Sequence, residues 1–533
     1  MKRLIFFYIL IIFNFLFSEN NLDNKEKKYR IIGGWSFYSL LKDIIKTEGT
    51  NVYNSTQARV RISTELSNQE LNFLKNRDIK VKSAIENLIS VKLNNNQVPR
   101  IALCFSGGGY RAMISTLGAL AGLKLSGLLD TVTYISALSG STWAISSIYG
   151  HNLDLFDNIR LVKEQVSKPL YLSVSIKFML ENSLYKLFYG QNCNMVGIWG
   201  VLLAETLFSD LNKGWFRYLN YQEQYNILTR LVKSDMPKFS DFRNKIDDGQ
   251  MPMPICTSIV GDIDTNNRYE WVEYNPYEIG FIESNTFIPS WSFGRKFING
   301  VSTDYSLELG LDYLMGIWGS AFTVSVKELL ENYRDSISTA LSKTLDLLTI
   351  NNDKLHKFRL SPAKVSNFAY SLDKHNLKNY KRITLLDAGL ACNLPIAPLI
   401  RKNRKIDIMI IFDYSTNVKS AVELKKAEIY AKDNGVKLPD IDYSNIGKIN
   451  IFKDLNADIP IIIYMPLIKN SAYCVNFDPE DSIQNGYCST FNLKYKTYQF
   501  DELLGLNQYN LISYSSEIVN LIETFLDNKL IIN

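Results

Sequence analysis

The stretch that decides the fold reads Ile101-Ala102-Leu103-Cys104-Phe105-Ser106-Gly107-Gly108-Gly109-Tyr110-Arg111-Ala112-Met113. A short apolar run stops at a serine and three glycines. From Tyr110 to Leu125 the chain then takes on helical character, with Ala112, Met113, Leu117, Leu120 and Ala121 as its apolar positions. This is a strand, a glycine loop and a helix. A second unit follows at once: Val132 to Ala137 reads as a strand, Leu138-Ser139-Gly140-Ser141 as a tight turn, and Thr142 to Tyr149 as a helix. Two such units in succession predict an α/β fold, with a largely parallel central sheet flanked by helices.

Outward from this block, Ser36 is placed to cap a helix whose face carries Phe37, Leu40, Leu41, Ile44 and Ile45. Residues 50–99 are polar, with helical stretches, and 150–250 read as mostly helical and aromatic. Residues 251–300 are richer in Pro, Gly and aromatics. Arg382 to Leu386 is another short strand, ending in Asp387-Ala388-Gly389. Ile406–Phe412 and Ile461–Met465 are near-continuous apolar runs, the pattern of strands buried on both faces. The chain closes with an amphipathic helix through Ile518, Leu521, Ile522, Phe525 and Leu526. No repeat and no linker interrupts it. The expected organisation is one large domain, residues 30–533, with a helical cap inserted at roughly 323–380.

Composition narrows the function. The 533 residues are 46% hydrophobic and 12% aromatic, ample for a large core. A net charge of +5 gives no argument for nucleic acid, which calls for a strongly basic face. Lys2, Arg3, the apolar run Leu4–Phe17 and Ser18 predict a secretory signal peptide over residues 1–18. The run is short for a membrane span. The expected protein is therefore secreted or extracytoplasmic, and soluble or peripheral on membranes. Its six cysteines include no CxxC pair, so no metal or other cofactor is expected. Cys474 and Cys488 are spaced to close a short loop, and Cys104 reads as a buried thiol. Asn54-Ser55-Thr56 is a glycosylation sequon. The run Arg401, Lys402, Arg404 and Lys405 reads as a solvated basic loop.

The chemistry centres on Ser139. A serine hydroxyl needs a base to take its proton and donors to hold the oxyanion that forms. Ala137-Leu138-Ser139-Gly140-Ser141, between a strand and a helix, matches a nucleophile elbow, with Ala137 in place of the first glycine. The helix that follows directs its positive end at the site. Histidine occurs only as His151, His356 and His375, and none follows Asp387, so the chain order Ser, Asp, His is absent. A triad built on another acid stays open, but no motif marks one. Asp387 ends a strand before a glycine turn, where desolvation raises a carboxylate's pKa and suits it to act as a base. Gly107, Gly108 and Gly109 place backbone N–H groups at a helix start, suited to an anion. Arg111, one turn on, suits bidentate binding of a phosphate head group.

A rival reading concerns the same loop. Gly107 to Ala112 satisfies the dinucleotide pattern G-x-G-x-x-G/A. That reading needs an acid ending the second strand. Asp130 precedes the strand instead, and the strand ends at the serine elbow, so no nucleotide is expected.

Ser106–Met113, Leu138-Ser139-Gly140-Ser141-Thr142-Trp143 and Asp387–Pro395 together resemble the catalytic domain of group IV cytosolic phospholipase A2. Fungal phospholipase B is similar, and patatin acyl hydrolases more distantly so. Trp271–Gly280, Leu314–Phe322 and Ile406–Ser415 extend the resemblance as segments without catalytic groups. The resemblance implies a patatin-like fold and hydrolysis of phospholipid or lysophospholipid acyl esters without histidine. It implies Ser139 as nucleophile, Asp387 as its dyad partner, Gly107 and Gly108 as oxyanion glycines, and Arg111 as the phosphate ligand. Ala388 departs from the family's Ser or Gly. Residues 1–30 leave no room for a calcium-binding C2 domain, so calcium-driven docking is not implied. The alternative is a non-catalytic lipid-binding or toxin-like protein that retains the fold.

Overall fold

The computed structural model describes residues 53, 55–94, 97–168, 195–208, 236–261, 269–323, 363–456 and 458–532. The segment expected to be a signal peptide, the helix expected at 36–48, Asn54, Cys193, His356 and most of the expected cap (324–362) lie outside the described residues.

The core is a parallel sheet ordered β4 (Met253–Val260), β3 (Val132–Ala137), β2 (Ile101–Phe105), β12 (Ile408–Asp413) and β14 (Ile461–Pro466). Every residue of β2, β3, β4 and β12 is buried. That is why β2 and β12 are near-continuous apolar runs rather than alternating ones, and why the polar residues inside β3 and β4 are only small serines and threonines beside Tyr134. Antiparallel wings extend this centre. On one side lie β5 (Glu270–Tyr274), β6 (Glu278–Phe281), β7 (Thr286–Pro289) and the short β1 (Arg61–Ile62); on the other, β13 (Asn450–Phe452) pairs with β14. A separate pair, β8 (Phe297–Ile298) and β9 (Val301–Ser302), sits apart. β10 (Ala363–Ser366) and β11 (Arg382–Asp387) form an antiparallel pair that joins the main sheet through β4.

The β5–β7 meander is the part least visible in the sequence. Glu270, Glu273 and Glu278 stand inside its strands and hide the apolar pattern, yet all three are buried. Each is satisfied locally. Glu278 takes a bidentate pair of bonds from Arg61, at 2.8 and 2.7 Å. Glu270 accepts from the Ser284 backbone and hydroxyl. Glu273 lies between Arg404 (2.8 Å) and Arg401 (3.1 Å).

The last pairing corrects the reading of 401–405 as a solvated basic loop. Arg404 is fully buried. It bridges Glu273 to Glu70 (2.8 Å), which also accepts the Tyr134 hydroxyl at 2.9 Å. Carboxylates from two separate elements need counter-charges in the interior, and the basic run supplies them.

Helices cover the parallel centre. α1 (Asn68–Ile89) starts at Ser67, whose hydroxyl accepts the Glu70 N–H at 3.2 Å, a standard N-cap. Its buried Arg77 donates to the carbonyls of Leu129, Asp130, Val132, Gly249 and Gln250, which ties α1 to the base of β3 and β4. α2 (Gly109–Leu125) and α3 (Gly140–Gly150) follow the two loops read from the sequence. α4 (Val422–Asp433) follows β12, and α5 (Thr497–Ile532) ends the chain. α2 and α5 touch backbone to backbone. A Cβ on Gly118 would lie 2.3 Å from the Leu504 carbonyl, so only glycine fits there. Among the described cysteines, Cys474 and Cys488 are free, and no disulfide closes the loop expected between them.

The Glu273 cluster yields a stability prediction. Burial alone would push its carboxyl up, but the Arg404 and Arg401 charges overcome this and hold it down at about 2. Its stabilising contribution is present above the unfolded carboxylate range and is lost as pH falls toward 2. Glu273→Gln leaves Arg401 without its carboxylate and Arg404 with Glu70 alone. It should lower unfolding free energy at neutral pH by about 3–5 kcal/mol. Urea titration measures this, and a loss under about 1 kcal/mol, the scale of an exposed ion pair, would count against the buried cluster.

Candidate active site

Two strands share one edge of β4. β3 runs along its first half, pairing Tyr134 with Met253 and Ala137 with Cys256. β11 runs the opposite way along the second half, pairing Leu385 with Val260 and Asp387 with Ser258. The two strands therefore approach head to head. Ser139 lies two residues beyond Ala137, and Ser258, the partner of Asp387, lies two residues beyond Cys256. Register alone thus brings Ser139 and Asp387 to one place.

Ser139 has φ 49° and ψ −125°, a left-handed geometry unusual for a residue with a side chain. It occupies the N-cap position of α3, yet its hydroxyl caps no helical N–H. Its side chain instead faces the Asp387 carboxyl, whose pKa it helps to lower. Gly140 must be glycine for a steric reason: a Cβ there would sit 2.0 Å from the Gly109 carbonyl. The glycine loop and the elbow are thus in direct backbone contact. Ser141 fastens them further, donating to the Ser106 carbonyl at 2.5 Å and accepting from Thr116 at 2.9 Å.

Asp387 is 1% exposed. One carboxylate oxygen accepts the Gly389 N–H at 2.9 Å and the other the Ala321 N–H at 3.4 Å. Its own N–H donates to the Ser320 hydroxyl at 2.9 Å. Burial pushes its pKa up to about 6, against the opposing pull of Gly389, Ser139 and Ala321. Ser320 and Ala321 belong to the segment 314–322, read in the sequence as carrying no catalytic group. Each bonds the carboxylate residue, a role no local motif announces.

The described histidines are engaged elsewhere. His151 is the C-cap of the 11-residue α3 whose N-cap is Ser139, which separates them by roughly 18 Å at 1.5 Å per residue. It bonds the Leu207 carbonyl at 2.7 Å. His375 contacts Ser284 (3.0 Å) and accepts the Leu377 N–H (3.1 Å).

The glycine loop departs from expectation in one respect. Gly107 lies against the serine, since a Cβ on it would meet Ser139 Cβ at 2.8 Å. Its N–H, however, donates to Asn393 Oδ1 at 3.2 Å. An oxyanion at Gly107, one of the two expected donors, would share this N–H with the Asn393 side chain. Gly108, at φ 146°, and Gly109, at φ 62°, supply the next N–H groups along the loop. Asn393 lies within the quoted motif 387–395, but it received no role from the sequence.

Arg111, expected at a substrate phosphate, has two of its three nitrogens on other groups of the chain. It is 1% exposed, and its Nε donates to the Tyr414 carbonyl (2.9 Å). Nη1 donates to the Cys488 carbonyl (2.6 Å) and the Thr490 hydroxyl (3.1 Å). Nη2 lies beneath the loop, 2.6 Å from where a Gly108 Cβ would stand. Much of this guanidinium supports the loop from below.

Asp387 generates a prediction of its own. Its raised pKa means that the folded state holds its proton more tightly than the unfolded one. Stability from this group is fully present below pH 3.8 and is lost as pH rises through about 6. Asp387→Asn keeps the acceptor for Gly389 and removes the buried charge. It should therefore raise stability at pH 8 by roughly 2–3 kcal/mol, a gap that closes near pH 4. Thermal melts at the two pH values check this; a variant less stable than wild type at pH 8 would contradict the burial argument.

Comparison with known proteins accords with this geometry. Human cytosolic phospholipase A2 zeta is 28% identical over 85% of the chain and 60% of its own length. Mouse cytosolic phospholipase A2 delta is 25% identical over 88% and 64%. The chain thus spans under two thirds of these relatives. The solved structure of human GIVD cytosolic phospholipase A2 superposes with a TM-score of 0.72 at 22% identity, covering 89% of this chain and 69% of that one. A second structure of that enzyme, in complex with methyl gamma-linolenyl fluorophosphonate, gives 0.67 at 25% identity, covering 88% and 66%. These relatives are cytosolic by name, which overturns the expectation of a secreted or extracytoplasmic protein with a signal peptide. Residues 101–427, more than half of the chain, match the lysophospholipase catalytic domain, and the chain belongs to that family.

Proposed function

We propose that this chain hydrolyses acyl esters of glycerophospholipids or lysophospholipids through a Ser139–Asp387 dyad. The observation that carries the reading is the pairing of a serine in a left-handed elbow with a buried carboxylate whose pKa is raised to about 6. A carboxylate of ordinary pKa is a weak base toward a hydroxyl; one raised toward neutrality is better matched to the task while still ionised at pH 7. Asp387 takes the Ser139 proton as the hydroxyl attacks the ester carbonyl. The oxyanion is held by loop N–H groups, with Gly108 as the first donor and the N-terminus of α3 adding favourable potential. Asp387 returns the proton to the departing alkoxide, and water then releases the fatty acid from acyl-Ser139 by the same route. Arg111 Nη2 is the group assigned to a substrate phosphate, acting at the underside of the loop. The substrate class is supported by the relatives, one of which was solved with a fatty-chain fluorophosphonate inhibitor bound. Such a substrate is presented at a lipid surface, so peripheral membrane contact belongs to the same proposal. So does the division of the chain into one domain with a cap near 323–380.

The test is fatty-acid release from mixed phospholipid and lysophospholipid micelles with EDTA present. Ser139→Ala and Asp387→Asn should each lose at least about 10³-fold in kcat while remaining folded, the scale of removing one member of a nucleophile–base pair. Wild-type kcat/KM should fall tenfold per pH unit below about 6, as Asp387 takes up its proton. Turnover that survives in Ser139→Ala, or a wild type inert on every lipid, would sink the reading.

A further inference from the structure

Resting on the hydrolase reading, we infer that Asn393 is a positioning residue that sets the direction of the Gly107–Gly108 peptide and so preorganises the oxyanion donor. The Asn393 side-chain amide meets both backbone groups of Gly107. Oδ1 accepts its N–H, and Nδ2 donates to its carbonyl, each at 3.2 Å. In a planar trans peptide, the Gly107 carbonyl and the Gly108 N–H point in opposite directions. Holding the carbonyl against Asn393 therefore turns the Gly108 N–H to the other side of the loop.

The clamp is needed because the loop cannot hold itself. Gly108, at φ 146° and ψ 32°, sits where other residues rarely go. With glycine on both sides of the peptide, little steric resistance opposes its rotation. A donor free to turn loses the advantage of being fixed before the charge develops.

Asn393 is itself held from two directions. Its N–H donates to Glu423 Oε2 at 2.5 Å, and Glu423, in the first turn of α4, pairs with Lys426 at 2.8 Å. Nδ2 also donates to the Ser415 hydroxyl at 2.8 Å. The Ser415 N–H donates to Asp413, which also accepts the buried Tyr464 hydroxyl at 2.8 Å. The chain of bonds runs from β14 and β12 through Asn393 to the loop. Asn393 Oδ1 also stands 3.2 Å from a Cβ position on Gly389, so one amide spans the glycine loop and the turn after Asp387.

The experiment compares wild type, Ser139→Ala, Asn393→Asp and Ser415→Ala in lysophospholipid micelles, with amide hydrogen exchange on each. Asn393→Asp keeps the size and the acceptor for the Gly107 N–H, but sets an oxygen against the Gly107 carbonyl. Its kcat should fall about 10²–10³-fold, as for loss of one oxyanion donor, with KM within about twofold. The acid limb near pH 6 should stay in place in the uncharged Ser415→Ala, and exchange should quicken in residues 105–110 of both variants while the melting temperature holds. Ser415→Ala, which removes only the second anchor of Nδ2, should show the same signature at about tenfold and serves if the aspartate variant does not fold. A kcat within threefold of wild type in either variant overturns the inference. A rise confined to KM overturns it too, since it would make Asn393 a substrate contact. A shifted acid limb in Ser415→Ala would mean action through Asp387 instead. An inert wild type or an active Ser139→Ala removes the hydrolase reading itself, and with it the reaction that Asn393 would serve.

Discussion

Everything at the site depends on β4 having two neighbours on one edge. β3 climbs the first half of β4 and stops at Ala137; β11 descends the second half and stops at Asp387. A serine and a carboxylate more than 240 residues apart in sequence meet because hydrogen-bond register leaves them no other place. Strand pairing is enforced by many backbone bonds at once, so this meeting is far more rigid than two loops could provide. On the other side of β4, β5 spans Cys256 to Val260, across the level where the strands meet. The buried ion-pair cluster that satisfies Glu273 on β5 therefore supports the frame on which the dyad hangs.

The same arrangement carries local costs. Ser139 adopts a conformation that side chains avoid, and a carboxylate is buried where its charge is disfavoured. Neither would persist in a looser setting. The contact of Gly140 with the Gly109 carbonyl, the Ser141–Ser106 bond and the Arg111 bonds to Tyr414 and Cys488 over-determine the region. The planar fork of Arg111 matches carbonyls as well as it matches phosphate, and Nε and Nη1 are set against carbonyls.

Much of the centre was legible from residue pattern. β2 is a continuous apolar run because both faces are covered, β3 admits only Thr133, Tyr134 and Ser136 as polar members, and the glycines and serine that end them interrupt the pattern sharply enough to mark turns. Their helices announce themselves by period. The β5–β7 meander was not legible, because Glu270, Glu273 and Glu278 read as surface charges, and their partners Ser284, Arg404 and Arg61 stand elsewhere in the chain. The run 401–405 misled for the same reason: a cation's burial depends on a partner that its own neighbours do not reveal. The short apolar start at Leu4–Phe17 and the spacing of Cys474 and Cys488 likewise suggested an oxidising destination. The cytosolic relatives point the other way.

The sequence by itself determined the order of strands and helices in the parallel core, the elbow serine, the glycine loop and the strand-ending aspartate. These depend on local features: hydrophobic period, glycine placement and the abrupt end of apolar runs. Only the tertiary structure decided that β3 and β11 share an edge, that Asn393 holds Gly107, that Ser320 and Ala321 support Asp387, and that Arg111 is spent largely on backbone carbonyls. Each of these is a hydrogen bond between residues far apart in the chain. Such a bond leaves no periodicity behind, because its geometry exists only once the sheet has set the distance between its ends.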